Sequence, residues 1–250
     1  PGRASQAPHA PSVRYTAETP SRAVTVYPPH YPMPTILLCA RRIDLRGAPF
    51  AAAAARAGVT LVQVTDDVDA PTDALRASFE RRPEHVRAVL DALAGTPVDG
   101  IIAAADAAAW LAASLAQALE LPWHAQAAVE VAGDALLARG RWMAAGLPVP
   151  WFVTVPARGD DDLERLTRVR FPCVVRVARL PAARVGLRCT TLDEVMSARA
   201  RLAAWLSGPE RRSETAGDDT LLIEAEVPGV EMVLVGTLEL GALRVFALFE

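Results

Sequence analysis

From Thr35 onward the chain alternates apolar runs of strand length with runs of helical period, and this alternation restricts the fold more than any single residue does. "TILLCA" is a buried-strand run, "APFAAAAARAG" a helix closed by Gly58, and "VTLVQV" a second strand that ends at Asp66 and Asp67. A helix in "RPEHVRAVLDALAG", a strand in "DGIIAAAD" and a helix in "AAAWLAASLAQALE" continue the series. A strand that returns to its sheet through a helix runs parallel to the strand before it, so this portion predicts a parallel sheet covered by helices.

The pattern then changes. "VEVAGDALLARGRWMAAG" reads as a single helix with Gly146 just past its end, and Pro148 and Pro150 prevent the helix from resuming. A strand "WFVTV", a short helix "DDLERLTR", strands "CVVRVA" and "VGLRC", and a helix "LDEVMSARARLAAWL" follow. The polar stretch "SGPERRSETAGDD" leads to three more strands within residues 221–250. The predicted class is therefore α/β plus α+β, with a join near residue 125.

Composition removes several classes of function. At 250 residues with 52% hydrophobic and 22% charged content, the chain can bury a sizeable core. A net charge of -3 gives no electrostatic case for a nucleic-acid partner. All 26 basic residues are Arg, with no Lys or Asn anywhere, a bias that fits GC-rich coding. Cys39, Cys173 and Cys189 lie far apart in apolar surroundings without metal-ligand spacing, and read as reduced core thiols. The apolar runs are broken by Arg and Gly before they reach membrane-spanning length, and no signal peptide is visible, so the expectation is a cytoplasmic protein with no membrane partner. Residues 1–33, rich in Pro, Ser and Ala, read as extended, disordered chain. The start at Pro1 and the end within "RVFALFE" read as an excerpt from a longer frame.

The chemistry-bearing residues cluster late. "LLIEAEVPGVE" places Glu224, Glu226 and Glu231 around a Pro-Gly pair in an otherwise apolar run. A bland account exists: Val227-Pro228-Gly229-Val230 suits a type II turn, so the segment could be a hairpin with solvated glutamates. Arg176, inside the strand run "FPCVVR", could be a surface arginine or a phosphate ligand, since a guanidinium presents a planar fork of donors. Asp66 and Asp67 could mimic the ribose acid of a dinucleotide fold, but "CARRIDLRG" has no G-x-G-x-x-G to hold a pyrophosphate. His85 and His124 show no partner pattern and read as structural or solvated.

Taken together, residues 35–250 resemble the ATP-grasp superfamily. A small parallel α/β region is followed by a helix ending in "AGLPVP", then by "FPCVVR", a strand-helix pair and "IEAEVPGVE". Asp134 stands twelve residues before Gly146, as in the family, but Ala135 replaces the usual Lys. Arg176 takes the place of another Lys, and "ARLPAARVG" has lost most of the family's glycines.

The resemblance implies a layout: a disordered segment 1–33, a pre-ATP-grasp α/β domain 34–125, a nucleotide-closing subdomain 126–220, and the first strands of an incomplete C-terminal subdomain, 221–250. It also implies roles. Glu224 and the Ala225 carbonyl would accept from the adenine amine, the Val227 N–H would donate to a ring nitrogen, and Glu231 would hold the ribose. Arg176 and Arg184 would meet phosphates, while Glu226, expected to point away from the partners of Glu224, has no role. The implied activity is ATP-dependent activation of a carboxylate as an acyl phosphate and its transfer to an amine. The partners would be ATP and small carboxylate and amine substrates, with a homodimer admissible. Mg2+ would be a cofactor whose ligands are expected beyond Glu250, so no metal ligand is assigned and this stretch alone is not expected to turn over ATP. Two other readings stay open: a catalytically degenerate relative serving as a nucleotide-binding scaffold, and an unrelated α/β nucleotide- or sugar-binding module.

Overall fold

The computed structural model describes residues 33–40, 47–159, 163–178, 186–208, 219–239 and 241–250. Pro34–Glu250 form one compact unit. Within it β1 (Thr35–Cys39), α1 (Gly47–Ala57), β2 (Thr60–Thr65), β3 (Leu75–Arg76), α2 (Pro83–Ala92), β4 (Gly100–Ala103) and α3 (Ala109–Ala118) come first. Their four strands stand in the order β3-β2-β1-β4, and every pairing is parallel. Leu37, Cys39, Val64 and Ile101 project from one face of this sheet into a core shared with Val89 of α2 and Leu111 and Leu115 of α3. The period of two in the strands and of roughly 3.6 in the helices brings those residues to a common face.

The expected parallel α/β portion is thus present, with one addition. β3 is an edge strand of two residues, too short to announce itself in a pattern. It is fixed by Arg76, whose guanidinium donates to the carbonyls of Asp67, Val68 and Ala70 and so folds the preceding loop back on itself.

The single helix expected over 129–145 is two: α4 (Gln126–Ala132) and α5 (Ala135–Ala144). The break falls at Gly133, a weak helix former, and at Asp134, whose carboxylate accepts from the N–H groups of Leu136 and Leu137. A side chain that satisfies the first N–H groups of a new helix makes a restart at Ala135 more favourable than continuation. Gly146 closes α5 with φ +71, in the left-handed region that glycine enters without strain.

The second sheet is antiparallel, in the order β5-β8-β6-β7, built from β5 (Phe152–Pro156), β6 (Cys173–Val177), β7 (Leu187–Cys189) and β8 (Thr220–Ala225). The short α6 (Leu163–Leu166) precedes β6, and α7 (Leu192–Leu206) crosses one face. Val155, Cys173, Val175, Cys189, Leu221 and Ile223 meet Val195, Ala198 and Leu202 of α7 there in a second core. α7 opens on a reciprocal cap: Thr191 Oγ1 accepts from Glu194 N–H, and the Glu194 carboxylate accepts from Thr190. Those hydrogen bonds hold the Glu194 carboxyl below its ordinary range.

The hairpin reading of Val227–Val230 is excluded by the pairing, because β8 pairs with β5 and β6 and not with the next strand. β9 (Val233–Glu239) and β10 (Ala242–Phe249) pair with each other in a separate two-stranded antiparallel sheet. Its apolar side chains, Leu234, Leu238, Leu243, Phe246 and Phe249 among them, are exposed.

Candidate functional site

Alternation along the antiparallel sheet sends its even-numbered residues to the face opposite α7. The register sets Phe152 of β5 beside Glu224 of β8, Glu224 beside Val174 of β6, and Val174 beside Arg188 of β7. Arg176 and Leu222 form the neighbouring row. This face is roofed in part by α5, whose first residue is tied to the end of β6 by a hydrogen bond from Ala135 N–H to the Ala178 carbonyl, 3.0 Å. That tie, together with the Asp134 cap, fixes where Arg139 enters.

Arg139 reaches across to Glu224. One terminal nitrogen donates to the carbonyl of Ala135 at 3.1 Å and the other pairs with Glu224 Oε2, while the guanidinium carbon lies 6.0 Å from the Phe152 ring centroid. Glu224 Oε1 accepts from Arg176 Nε at 2.8 Å. One carboxylate is therefore shared by two guanidiniums, and the three side chains together carry one uncompensated positive charge. All three are largely withdrawn from water, with side-chain exposures of 7% for Arg139, 11% for Glu224 and 18% for Arg176. Arg139 Nε is buried with no hydrogen-bond partner among the described residues. Burial pushes the guanidinium of Arg139 below its ordinary pKa, with the charge of Arg176 adding to the effect, and burial does the same to Arg176. Two cations held this close with a single anion form a site to which a further anion is attracted, and the partly open side of Arg176 is where it would approach.

Of the residues singled out in the sequence, the structure brings together Arg176, Glu224 and, at the end of β8, Ala225. Val227, 71% exposed, and Glu231, also exposed, lie on the connection to β9. Arg184 lies outside the described residues. The expectation for Glu226 is corrected. Two residues from Glu224, it returns to the same side of the strand, and its carboxylate accepts from Arg188 Nε at 3.0 and 2.9 Å. Arg139 was missed altogether, since its partner Glu224 lies 85 positions away. The one sequence signal for it is its place four residues after Ala135, on the side of α5 that carries the apolar Ala138.

Among the described residues no three His, Cys, Asp or Glu side chains converge on one point. No step is assigned to magnesium. None of the described helices is long and apolar enough to cross a membrane. A shallow groove of about 360 Å3 between α2 and α3, lined by Val86, Leu90 and Trp110 with Arg87 at its side, gathers no comparable set of charges.

No protein-family model matches the chain, and no curated protein matches it by sequence. Solved structures do. An L-amino acid ligase from Bacillus licheniformis superposes with a TM-score of 0.71 at 18% identity, covering 86% of this chain and 52% of the ligase. The D-alanine–D-alanine ligase of Bacillus anthracis gives 0.57 at 14% identity, over 80% of this chain and 60% of its own. The N5-carboxyaminoimidazole synthetase of Staphylococcus aureus in complex with ADP gives 0.61 at 16% identity, over 86% and 54%. The chain thus spans between half and two thirds of the length of each. At these identities the likeness establishes architecture alone: over the part that it spans, the chain shares the fold of these three proteins.

Proposed function

We propose that this chain is the ATP-binding part of a ligase that activates a carboxylate as an acyl phosphate and joins it to an amine. The observation that carries the reading is the Arg139–Glu224–Arg176 cluster, in which, among the described residues, two guanidiniums share one carboxylate and Arg176 stays partly open. In this reading the polyphosphate supplies the missing negative charge. Glu224 keeps a second task, because each carboxylate oxygen accepts more than one hydrogen bond and the arginines occupy one position on each. The adenine amine would take a remaining position and the Ala225 carbonyl, the Val227 N–H would donate to the ring, and Glu231 would accept from the ribose hydroxyls. The layout follows the four segments 1–33, 34–125, 126–220 and 221–250, with the nucleotide between the last two.

A second reading is favoured by Ala135, which stands where the resemblance calls for a lysine, and by the glycine-poor stretch 178–186. It makes the protein a nucleotide-binding relative without turnover. The two readings share the binding step and part at chemistry.

The test is calorimetric titration of the chain with ATP, tripolyphosphate and adenosine. Saturable binding of ATP and of tripolyphosphate, both lost in the Arg139→Met Arg176→Met double variant, is the expected result. Binding of neither ligand by the unaltered chain would end the proposal. Phosphate release with candidate amino acids as substrates, followed in the longest available form of the protein, separates ligase from scaffold.

A further inference from the structure

We infer that Arg188 is a positioning residue for the nucleotide base: paired with Glu226, it holds the Ala225–Val227 backbone in the extended form that an adenine edge requires. The inference rests on the nucleotide-binding reading above. Regular pairing of β8 stops at Ala225. The last ladder-like bonds are from Ala225 N–H to the Trp151 carbonyl at 3.0 Å and from Glu226 N–H to the Pro172 carbonyl at 3.3 Å. Beyond them the chain leaves the sheet. Val227 is 71% exposed, Pro228 has no N–H, and Gly229 bends with φ +133. Backbone at this point is supported by few contacts, yet it is the segment whose carbonyl and N–H would pair with the base.

The Arg188–Glu226 pair supplies the missing tether. Arg188 sits on the edge strand β7 in register with Val174, the direct neighbour of Glu224. Its Nε lies 3.0 and 2.9 Å from the two Glu226 oxygens, so the contact anchors the residue between Ala225 and Val227. The hydrogen bond to Glu226, and after it the Glu226 charge, raises the pKa of the Arg188 guanidinium. With side-chain exposures of 59% and 33%, the pair is too open to contribute much to folding. An exposed pair with a small effect on stability can still determine the order of a short segment, and binding to an ordered segment avoids the entropy cost of arranging it.

The experiment compares Arg188→Ala, Glu226→Gln and the charge-reversed pair Arg188→Glu with Glu226→Arg, each titrated with ATP, adenosine and tripolyphosphate at low and high salt. Either single variant is expected to weaken ATP and adenosine by the same factor, about two- to five-fold, with tripolyphosphate unchanged. The reversed pair should recover most of the loss. Raising salt should weaken adenosine binding to the unaltered chain more than to Arg188→Ala, because screening removes the same contact. Loss of tripolyphosphate in step with ATP would make Arg188 a phosphate ligand and overturn the inference, as would adenosine binding that no variant changes. ATP binding by the unaltered chain with no effect of any variant sinks only this inference. No ATP binding at all sinks the functional reading beneath it.

Discussion

Replacing Glu224 by Gln removes one negative charge and little volume from the centre of the cluster. Two guanidiniums then remain on the roofed face of the sheet, 7% and 18% exposed, with no anion between them among the described residues. An uncompensated charge in a buried pair costs roughly 3–5 kcal/mol, and the window of Arg176 on solvent places this case near the lower figure. For a domain of this size each kcal/mol lowers Tm by about 2–4 °C, so a fall of roughly 6–12 °C is expected. The loss should be conditional. Tripolyphosphate can take the place of the carboxylate, so Glu224→Gln should bind it about tenfold more tightly than the unaltered chain, and should gain more in Tm at the same concentration of ligand. The assay is thermal unfolding followed by circular dichroism across a ligand series, with titration calorimetry for the affinities. A Tm within about 1 °C of the unaltered chain would show that the arginines do not depend on Glu224. A large fall that tripolyphosphate does not reverse would show that the cluster is structural and not an anion site.

The other expectations are narrower. Arg176→Ala should lower ATP affinity and leave adenosine nearly unaltered, and Arg176→Lys should preserve ATP binding near neutral pH; equal effects on ATP and adenosine would indicate packing. Glu231→Ala should weaken ATP by about 1–3 kcal/mol, with a similar loss for a 2′-deoxy nucleotide on the unaltered chain, since in the proposed binding mode both would remove hydrogen bonds to the ribose. Asp134→Ala removes a helix cap and should cost about 1 kcal/mol in urea unfolding, with an added loss of tripolyphosphate affinity as Arg139 loses its fixed entry. Burial pushes the Cys39 thiol up to about 12. Its folded pKa therefore lies above the unfolded one, so its contribution is complete below about pH 8.5 and is lost as pH rises toward 12, at up to about 1.4 kcal/mol per unit. Cys39→Ala should flatten that alkaline limb of the stability curve, and an unchanged slope would remove Cys39 as its source.

What the sequence made legible were features that repeat locally. α7 fills Leu192–Leu206 as its pattern implied, and the parallel strands lie where apolar runs alternate with helices. The break between α4 and α5 was harder, because a single cap at Asp134 outweighed the helical period on either side of it. The site was legible only in part. Glu224 and Arg176 stood out as charges within strands, but their pairing joins positions 48 apart, and that of Arg139 with Glu224 joins positions 85 apart. No local period encodes such a meeting; it follows from strand register and from where α5 is roofed onto the sheet. Glu226 was misplaced for a different reason. A residue two positions on shares its neighbour's side of a strand, and that rule gives the pairing with Arg188 as soon as it is applied.

The choice of guanidinium at both cationic positions also bears on the acidity at which the protein can work. Burial lowers the proton affinity of Arg139 and Arg176, but it does so from a starting value so high that both groups keep their charge across the physiological range. A primary amine at either place would begin about two units lower, at about 10.4, and comparable desolvation would carry it toward neutrality. The cationic side of such a site holds its anion without titrating. The Arg176→Lys protein should differ in this respect alone: its ATP affinity should decline as the medium becomes mildly alkaline, while that of the unaltered chain stays level.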